Sequence, residues 1–158
     1  MRVGIGYDIH RFVEDRPLML GGIEIPHIMG LEGHSDGDAL IHAICDAILG
    51  AGGMEDIGQL FPVNDDTYAG IESTKLLKQV KDMVGELGYK IEYVDSVVIL
   101  EEPKIAPFKI RMKEALAGAL GIPKESINIK ATTQEGIGAL GRGEGIAAYA
   151  VACLTFEI

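Results

Sequence analysis

Cysteine is scarce in this sequence: Cys45 and Cys153 are the only two, both among apolar neighbours. Two thiols do not build a disulfide framework, and they read as small buried side chains of a protein kept in a reducing compartment. Long apolar runs are missing too, so no segment suits a helix that crosses a bilayer. Basic residues are few, with 14 Lys and Arg against 24 Asp and Glu, for a formal charge of −10. That balance excludes general affinity for nucleic acid or for an anionic membrane, both of which want a basic surface. An anionic substrate must then find positive potential locally, from a metal ion, from backbone N–H groups or from a few chosen Lys and Arg. The opening "MRVGIGYDIH" enters strand-like sequence without a signal-peptide pattern, so a soluble, unprocessed, cytoplasmic protein is expected.

What is present suits one domain over residues 1–158, since 47% of the residues are hydrophobic and can fill one sizeable core. Residues 2–10 and 18–25 read as a pair of strands separated by the polar "RFVEDRP". In "HSDGDALIHAICDAILGAGG", Ser35 or Asp36 is placed to cap a helix on which Leu40, Ala43, Ile44, Ala47 and Ile48 follow helical spacing, with Gly50 near its end. A second helix is expected over 72–87, with Ser73 near its start and Leu76, Leu77, Val80, Val84 and Leu87 as the buried stripe, closed by Gly88. "YKIEYVDSVVIL" reads as a strand, "IAPFKIRMKEALAGALG" as a helix, and "INIKAT" and "GIAAYAVACLTFEI" as strands. The interleaving predicts an α/β fold, an α+β sandwich with a mixed sheet and helices on one face. The other face then needs a cover, and self-association supplies the simplest one.

Asp8 and His10 in "GYDIHRF" lie two apart on a strand, so their side chains point the same way. On the first long helix Asp38, His42 and Asp46 follow at i, i+4 and i+8 as a polar stripe. A lone histidine there is more often a satisfied core residue, but with Asp8 and His10 it completes a His₂-carboxylate set, which suits Zn²⁺ with an open fourth position. Cys45 is the competing sulfur ligand, on the more apolar side of the helix, and is read as core. The glycine-bearing loop "GLEGHSDGD" opens that helix, so the N–H groups around His34 and Ser35 are placed either to receive a phosphate or merely to form turns. Asp56 in "EDIGQLFP" either holds ribose hydroxyls or caps a turn. "IKATTQEGIGALGRGEG" offers Thr132, Thr133 and Glu135, groups that suit phosphate and Mg²⁺, or else a plain glycine loop with a local Arg142–Glu144 ion pair.

Taken together, "GYDIHRF", "GLEGHSDGDALIHAICDAILGA", "EDIGQLFP", "PKI" and "INIKATTQEGIGALGRGEGIAA" resemble the 2-C-methyl-D-erythritol 2,4-cyclodiphosphate synthase family, in order and over nearly the whole chain. The resemblance implies a lyase of the non-mevalonate isoprenoid pathway, a homotrimer with active sites between subunits. Its substrate would be 4-diphosphocytidyl-2-C-methyl-D-erythritol 2-phosphate, cyclised with release of CMP. It implies Zn²⁺ on Asp8, His10 and His42, and Mg²⁺ or Mn²⁺ on Glu135 together with substrate phosphates. His34 and Thr133 would be catalytic, stabilising the transition state, with Ser35 and Thr132 also facing phosphate. Asp56 with the backbone at Gly58 would hold the ribose, Ile57, Phe61, Pro62 and Asp65 would also bind the substrate, Leu100, Lys104 and Ile105 would form the cytosine pocket, and Arg142 and Glu144 would line the trimer cavity, Arg142 reaching the substrate as well. Two other readings remain, a non-catalytic metal or nucleotide-binding module and a zinc-dependent phosphohydrolase.

Overall fold

The computed structural model describes residues 1–157. The first run of alternating sequence forms one long strand, β1 (Arg2–Val13). The segment 18–25 is not the single strand expected. It folds on itself into a separate hairpin, β2 (Leu18–Leu20) with β3 (Ile23–Ile25). The cause is the Gly21-Gly22 pair, whose φ angles of 63° and 80° make the tight two-residue turn that only glycine adopts freely. A two-residue strand, β4 (Gly30–Leu31), then returns to the end of β1.

The helix expected after residue 35 is α1 (Ala39–Gly52), and its cap is Asp38 rather than Ser35 or Asp36. Gly37, at φ 77°, turns the chain first, so the helix begins later than the sequence suggests. A short α2 (Ile57–Leu60) follows, then α3 (Ser73–Glu86), close to its expected span. Next come β5 (Tyr89–Ile99), α4 (Lys109–Leu120) after a single 3₁₀ turn at Ala106–Phe108, and β6 (Ile127–Thr132). A four-residue α5 (Gly138–Gly141) precedes the last strand, β7 (Gly145–Phe156). The end of the final predicted strand, Ile158, lies outside the described residues.

The sheet order is β4-β1-β7-β5-β6. β5 and β6 run parallel and the other neighbours antiparallel, so the sheet is mixed as expected. One face carries α1, α3 and α4 over a core that includes Leu40, Ile44, Ile48, Leu77, Val98, Met112 and Leu154, all buried. Among the described residues no helix is long and apolar enough to cross a membrane. Gly4 and Gly6 set the seat of α1: a Cβ at Gly6 would stand 1.8 Å from the Ala43 carbonyl oxygen, and one at Gly4 2.0 Å from that of Ala47. The helix rests directly on the strand backbone. His42, one residue before Ala43, is thereby brought over the strand positions that follow Gly6.

The opposite face is uncovered in the single chain. Val3, Ile5, Tyr7 and Ile9 of β1 are 62%, 70%, 45% and 48% exposed, and Tyr149 and Val151 of β7 continue the apolar surface.

Candidate metal centre and phosphate pocket

Asp8 and His10 project from the helix-covered face of β1, and His42 comes down from α1 to meet them. His10 Nε2 stands 2.6 Å from Asp8 Oδ2, His42 Nδ1 3.0 Å from the same oxygen, and the two imidazole nitrogens 3.1 Å apart. The outer nitrogen of His10, Nδ1, lies 2.5 Å from the Glu32 carbonyl oxygen, which can only accept. A neutral His10 therefore carries its proton on Nδ1, and its Nε2 lone pair points at a carboxylate oxygen and another imidazole nitrogen. Three converging lone pairs require a positive charge between them. Two imidazoles and one carboxylate form a donor set that fits Zn²⁺ and leaves one coordination position for an outside ligand.

Without a metal, a proton has to serve in its place. Burial opposes the charged form of Asp8, yet hydrogen bonds and the charges of His10 and His42 outweigh it and lower the carboxyl to about 2. Burial likewise works against a charged His10, and the Asp8 carboxylate outweighs it, raising the imidazole above its ordinary value.

A cavity of about 210 Å³ opens on the triad and is lined also by His34, Ser35, Ile57, Gly58, Phe61, Val63, Tyr68 and Ile71. The loop over 33–37 is held by Arg16, whose guanidinium donates to the Gly33 carbonyl at 3.0 Å and the Ser35 carbonyl at 2.7 Å. Those bonds leave the side chains of His34 and Ser35 turned to the cavity. Asp56 caps α2, accepting from Gln59 N–H at 3.0 Å, and Asp46 on α1 ties the same short helix by accepting from Ile57 N–H at 2.9 Å. Phe61 packs edge to face against Tyr68 with ring centroids 5.2 Å apart, while Pro62 and Asp65 follow in the same loop, Asp65 accepting from Thr67 N–H. Asp38, read as part of a polar stripe, is fully buried and takes the N–H groups of Gly21, Gly22 and Ile41, so it joins the hairpin to α1.

A second cluster forms where β5 and β6 end. Leu100 N–H donates to the Thr132 carbonyl, and the Glu101 carboxylate accepts from Gln134 and Gly136, bracing the turn that exposes Thr133 and Glu135. Leu100 and Ile105 are buried, so their side chains serve the core, with Lys104 at the surface. Arg142 and Glu144 pair at 2.6 Å and are both exposed.

The two clusters do not meet within one chain. Asp8 pairs with Ala148, Ala148 with Val98, and Val98 with Ala131, so the metal ligands and the start of the Thr132–Glu135 turn sit level but three strands apart. At the usual strand spacing that is roughly 14 Å. Sequence reading missed Arg16, Asp36 and Ser73, whose bonds to the site span 19, 37 and 31 residues.

An α/β sandwich with a His₂-carboxylate metal centre opening on a small cavity defines the class: a metal-assisted enzyme acting on a small molecule. The YgbB family model matches residues 1–155, and the chain belongs to that family. It is 54% identical over 154 residues to 2-C-methyl-D-erythritol 2,4-cyclodiphosphate synthase of Clostridium acetobutylicum, covering 98% of this chain and 99% of that one. The enzyme of the same name from Syntrophus aciditrophicus is 56% identical over 152 residues, 96% of each chain. Among solved structures, the CDP complex of IspF from Plasmodium falciparum superposes with a TM-score of 0.87 at 34% identity, covering 99% of this chain and 97% of that one.

Proposed function

We infer that the chain is a 2-C-methyl-D-erythritol 2,4-cyclodiphosphate synthase. The observation that carries this reading is that one cavity holds both the Asp8-His10-His42 centre and the polar side chains of His34 and Ser35. In the reaction an oxygen of the substrate's 2-phosphate bonds to the β-phosphorus, the bond from that phosphorus to the bridging oxygen breaks, and CMP leaves with the electron pair. The nucleophile is already an anion, so no serine, cysteine or general base has to generate it. Zn²⁺ on the triad, and Mg²⁺ or Mn²⁺ at Glu135 with the diphosphate, would supply charge neutralisation for two anionic groups brought together. The protein's own share is positioning: His34, Ser35, Thr132 and Thr133 donate to phosphate oxygens and hold the in-line geometry. Asp56 and the backbone near Gly58 take the ribose, with Ile57, Phe61, Pro62 and Asp65 around it. The 100–105 segment receives cytosine through its main chain, beside Lys104, and Arg142 and Glu144 lie toward the three-fold axis.

The working unit in this reading is a homotrimer in the cytoplasm. Two observations support the trimer: the apolar sheet face bearing Val3, Ile5, Tyr7 and Ile9 is open, and Thr132–Glu135 lies too far from the metal ligands of its own chain. A neighbouring subunit brings the two half-sites together. The two free thiols fit a reducing compartment.

Phosphorus NMR of a turnover mixture tests the activity. Cyclic diphosphate with CMP is expected; hydrolysed phosphates would make the protein a phosphohydrolase, and unchanged substrate a binding module. Light scattering on a sizing column tests the assembly, with a monomer mass at micromolar concentration refuting the shared site. Glu135→Gln should retain zinc and trimer mass while turnover falls steeply and excess Mg²⁺ restores only part of it. Loss of zinc from that variant would refute separate roles for the two metals.

A further inference from the structure

The nitrogen of His42 that faces away from Asp8 and His10 is Nε2, and it stands between two hydroxyls, Ser35 Oγ and Ser73 Oγ, each at 3.0 Å. An imidazole that ligates through Nδ1 keeps its single proton on Nε2, so it can fully serve only one of them. Counting protons identifies which. Ser73 is fully buried, and its hydroxyl proton is committed to Asp36 Oδ1, leaving its oxygen to accept. Asp36 is an acceptor throughout: Oδ2 takes the Ser73 N–H at 2.9 Å, and Oδ1 also takes the Asp38 N–H at 3.1 Å. The bonds therefore run one way, from His42 Nε2–H to Ser73 Oγ and from Ser73 Oγ–H to Asp36.

We propose that Ser73 and Asp36 are positioning residues of the metal centre. They hold His42 in the tautomer that presents Nδ1 to the metal, and they leave the Ser35 hydroxyl free to turn to a substrate phosphate. The inference rests on the zinc reading and extends it to residues that touch neither metal nor substrate. His10 has the corresponding anchor in the Glu32 carbonyl, so each imidazole is fixed at its outer nitrogen. The two anchors differ in origin. Glu32 follows β4, whereas Ser73 opens α3, directly after the pocket loop that also donates Gly70 N–H to the His34 carbonyl at 2.9 Å. The aim of a metal ligand thus depends on how that loop joins its helix.

The test uses the full chain, its Ser73→Ala and Asp36→Asn variants, and zinc affinity measured by competition with a chromophoric chelator, with the visible absorption of the Co²⁺-loaded proteins as second readout. Asp36→Asn keeps the volume but turns one acceptor into a donor, so residue 36 can no longer accept both the Ser73 N–H and the Ser73 hydroxyl proton and the anchor is weakened. Both variants should bind zinc about 10–100-fold more weakly and show an altered cobalt spectrum. Ser35→Ala should keep zinc affinity to within about twofold, because Ser35 is not the anchor. Melting of the metal-free proteins, expected to stay within a few degrees of the parent, separates loss of positioning from loss of fold. Tight zinc in the parent with unchanged affinity in either Ser73→Ala or Asp36→Asn overturns this inference alone. A parent that binds no zinc overturns the metal reading beneath it.

Discussion

Gly6→Ala adds one methyl group where β1 and α1 touch backbone to backbone. The new Cβ would lie 1.8 Å from the Ala43 carbonyl oxygen and 2.8 Å from the Ala47 nitrogen, whereas ordinary contact begins at 3.4 Å. Strand and helix must therefore separate by about 1.6 Å, since neither partner is a side chain that can swing aside. Leu40, Ile44 and Ile48 are fully buried on that helix, so the displacement opens gaps as well as relieving the clash. Overpacking of this kind costs about 1–3 kcal/mol, or more when backbone must move. For a chain of this size each kcal/mol lowers the melting temperature by about 2–4 °C. The metal centre should suffer more than the fold, because ligand distances tolerate only about 0.2 Å. Expected are a melting temperature lowered by about 3–10 °C and zinc affinity reduced by more than about tenfold, read by scanning calorimetry and chelator competition. A variant with the parent's melting point and zinc affinity would refute the claim that Gly6 seats His42.

Gly118→Ala and Gly85→Ala make the opposite case: both glycines are in helices, exposed and with open space at the Cβ, so each change should stabilise by about 0.5–1 kcal/mol in denaturant titrations. Chelating zinc should lower the melting temperature of the parent but not of Asp8→Asn, which loses a ligand and should already be largely metal-free; an equal drop in both would place the metal elsewhere. Burial, with smaller contributions from Asp56 and Asp8, raises the Asp46 carboxyl above its ordinary 3.8 despite the Ile57 N–H bond. The folded chain then holds that proton more tightly than the unfolded chain, so this contribution is present at low pH and is lost as pH rises through the raised value. In chelator, Asp46→Asn should therefore gain stability relative to the parent between pH 4 and pH 7, and a relative loss over that range would refute the assignment.

The sequence carried the site unevenly. Asp8 and His10 were legible together because strand alternation alone aligns them, the stripe on α1 exposed His42, and the chemistry of a His₂-carboxylate set joined helix to strand before the family resemblance strengthened it. Cys45 was correctly placed in the core, where it is fully buried. The run 18–25 was misread because its alternation resembles one strand, although Gly21-Gly22 in the middle is a hairpin signal. Ser35 and Asp36 looked like caps because they precede apolar periodicity; Asp36 instead reaches the start of α3. Arg16, Asp36 and Ser73 act on the site through bonds between distant parts of the chain, and nothing in local pattern marks which of many polar residues will meet. The distance between the two clusters follows from strand order, which spacing along the chain does not encode.

On β1, successive positions answer to different masters. Val3, Ile5, Tyr7 and Ile9 serve the open face, while Gly4, Gly6, Asp8 and His10 serve the helix and the metal. A substitution at one site damages one of these duties. Loss of a single codon from the segment would be a different kind of lesion, because every residue beyond it would change sides: the hydrophobes would turn in against α1 and the carboxylate and imidazole would turn out onto the open face. The open apolar face and the metal ligands are thus inherited as one reading frame of alternating side chains, and neither can be lost by such a deletion without the other.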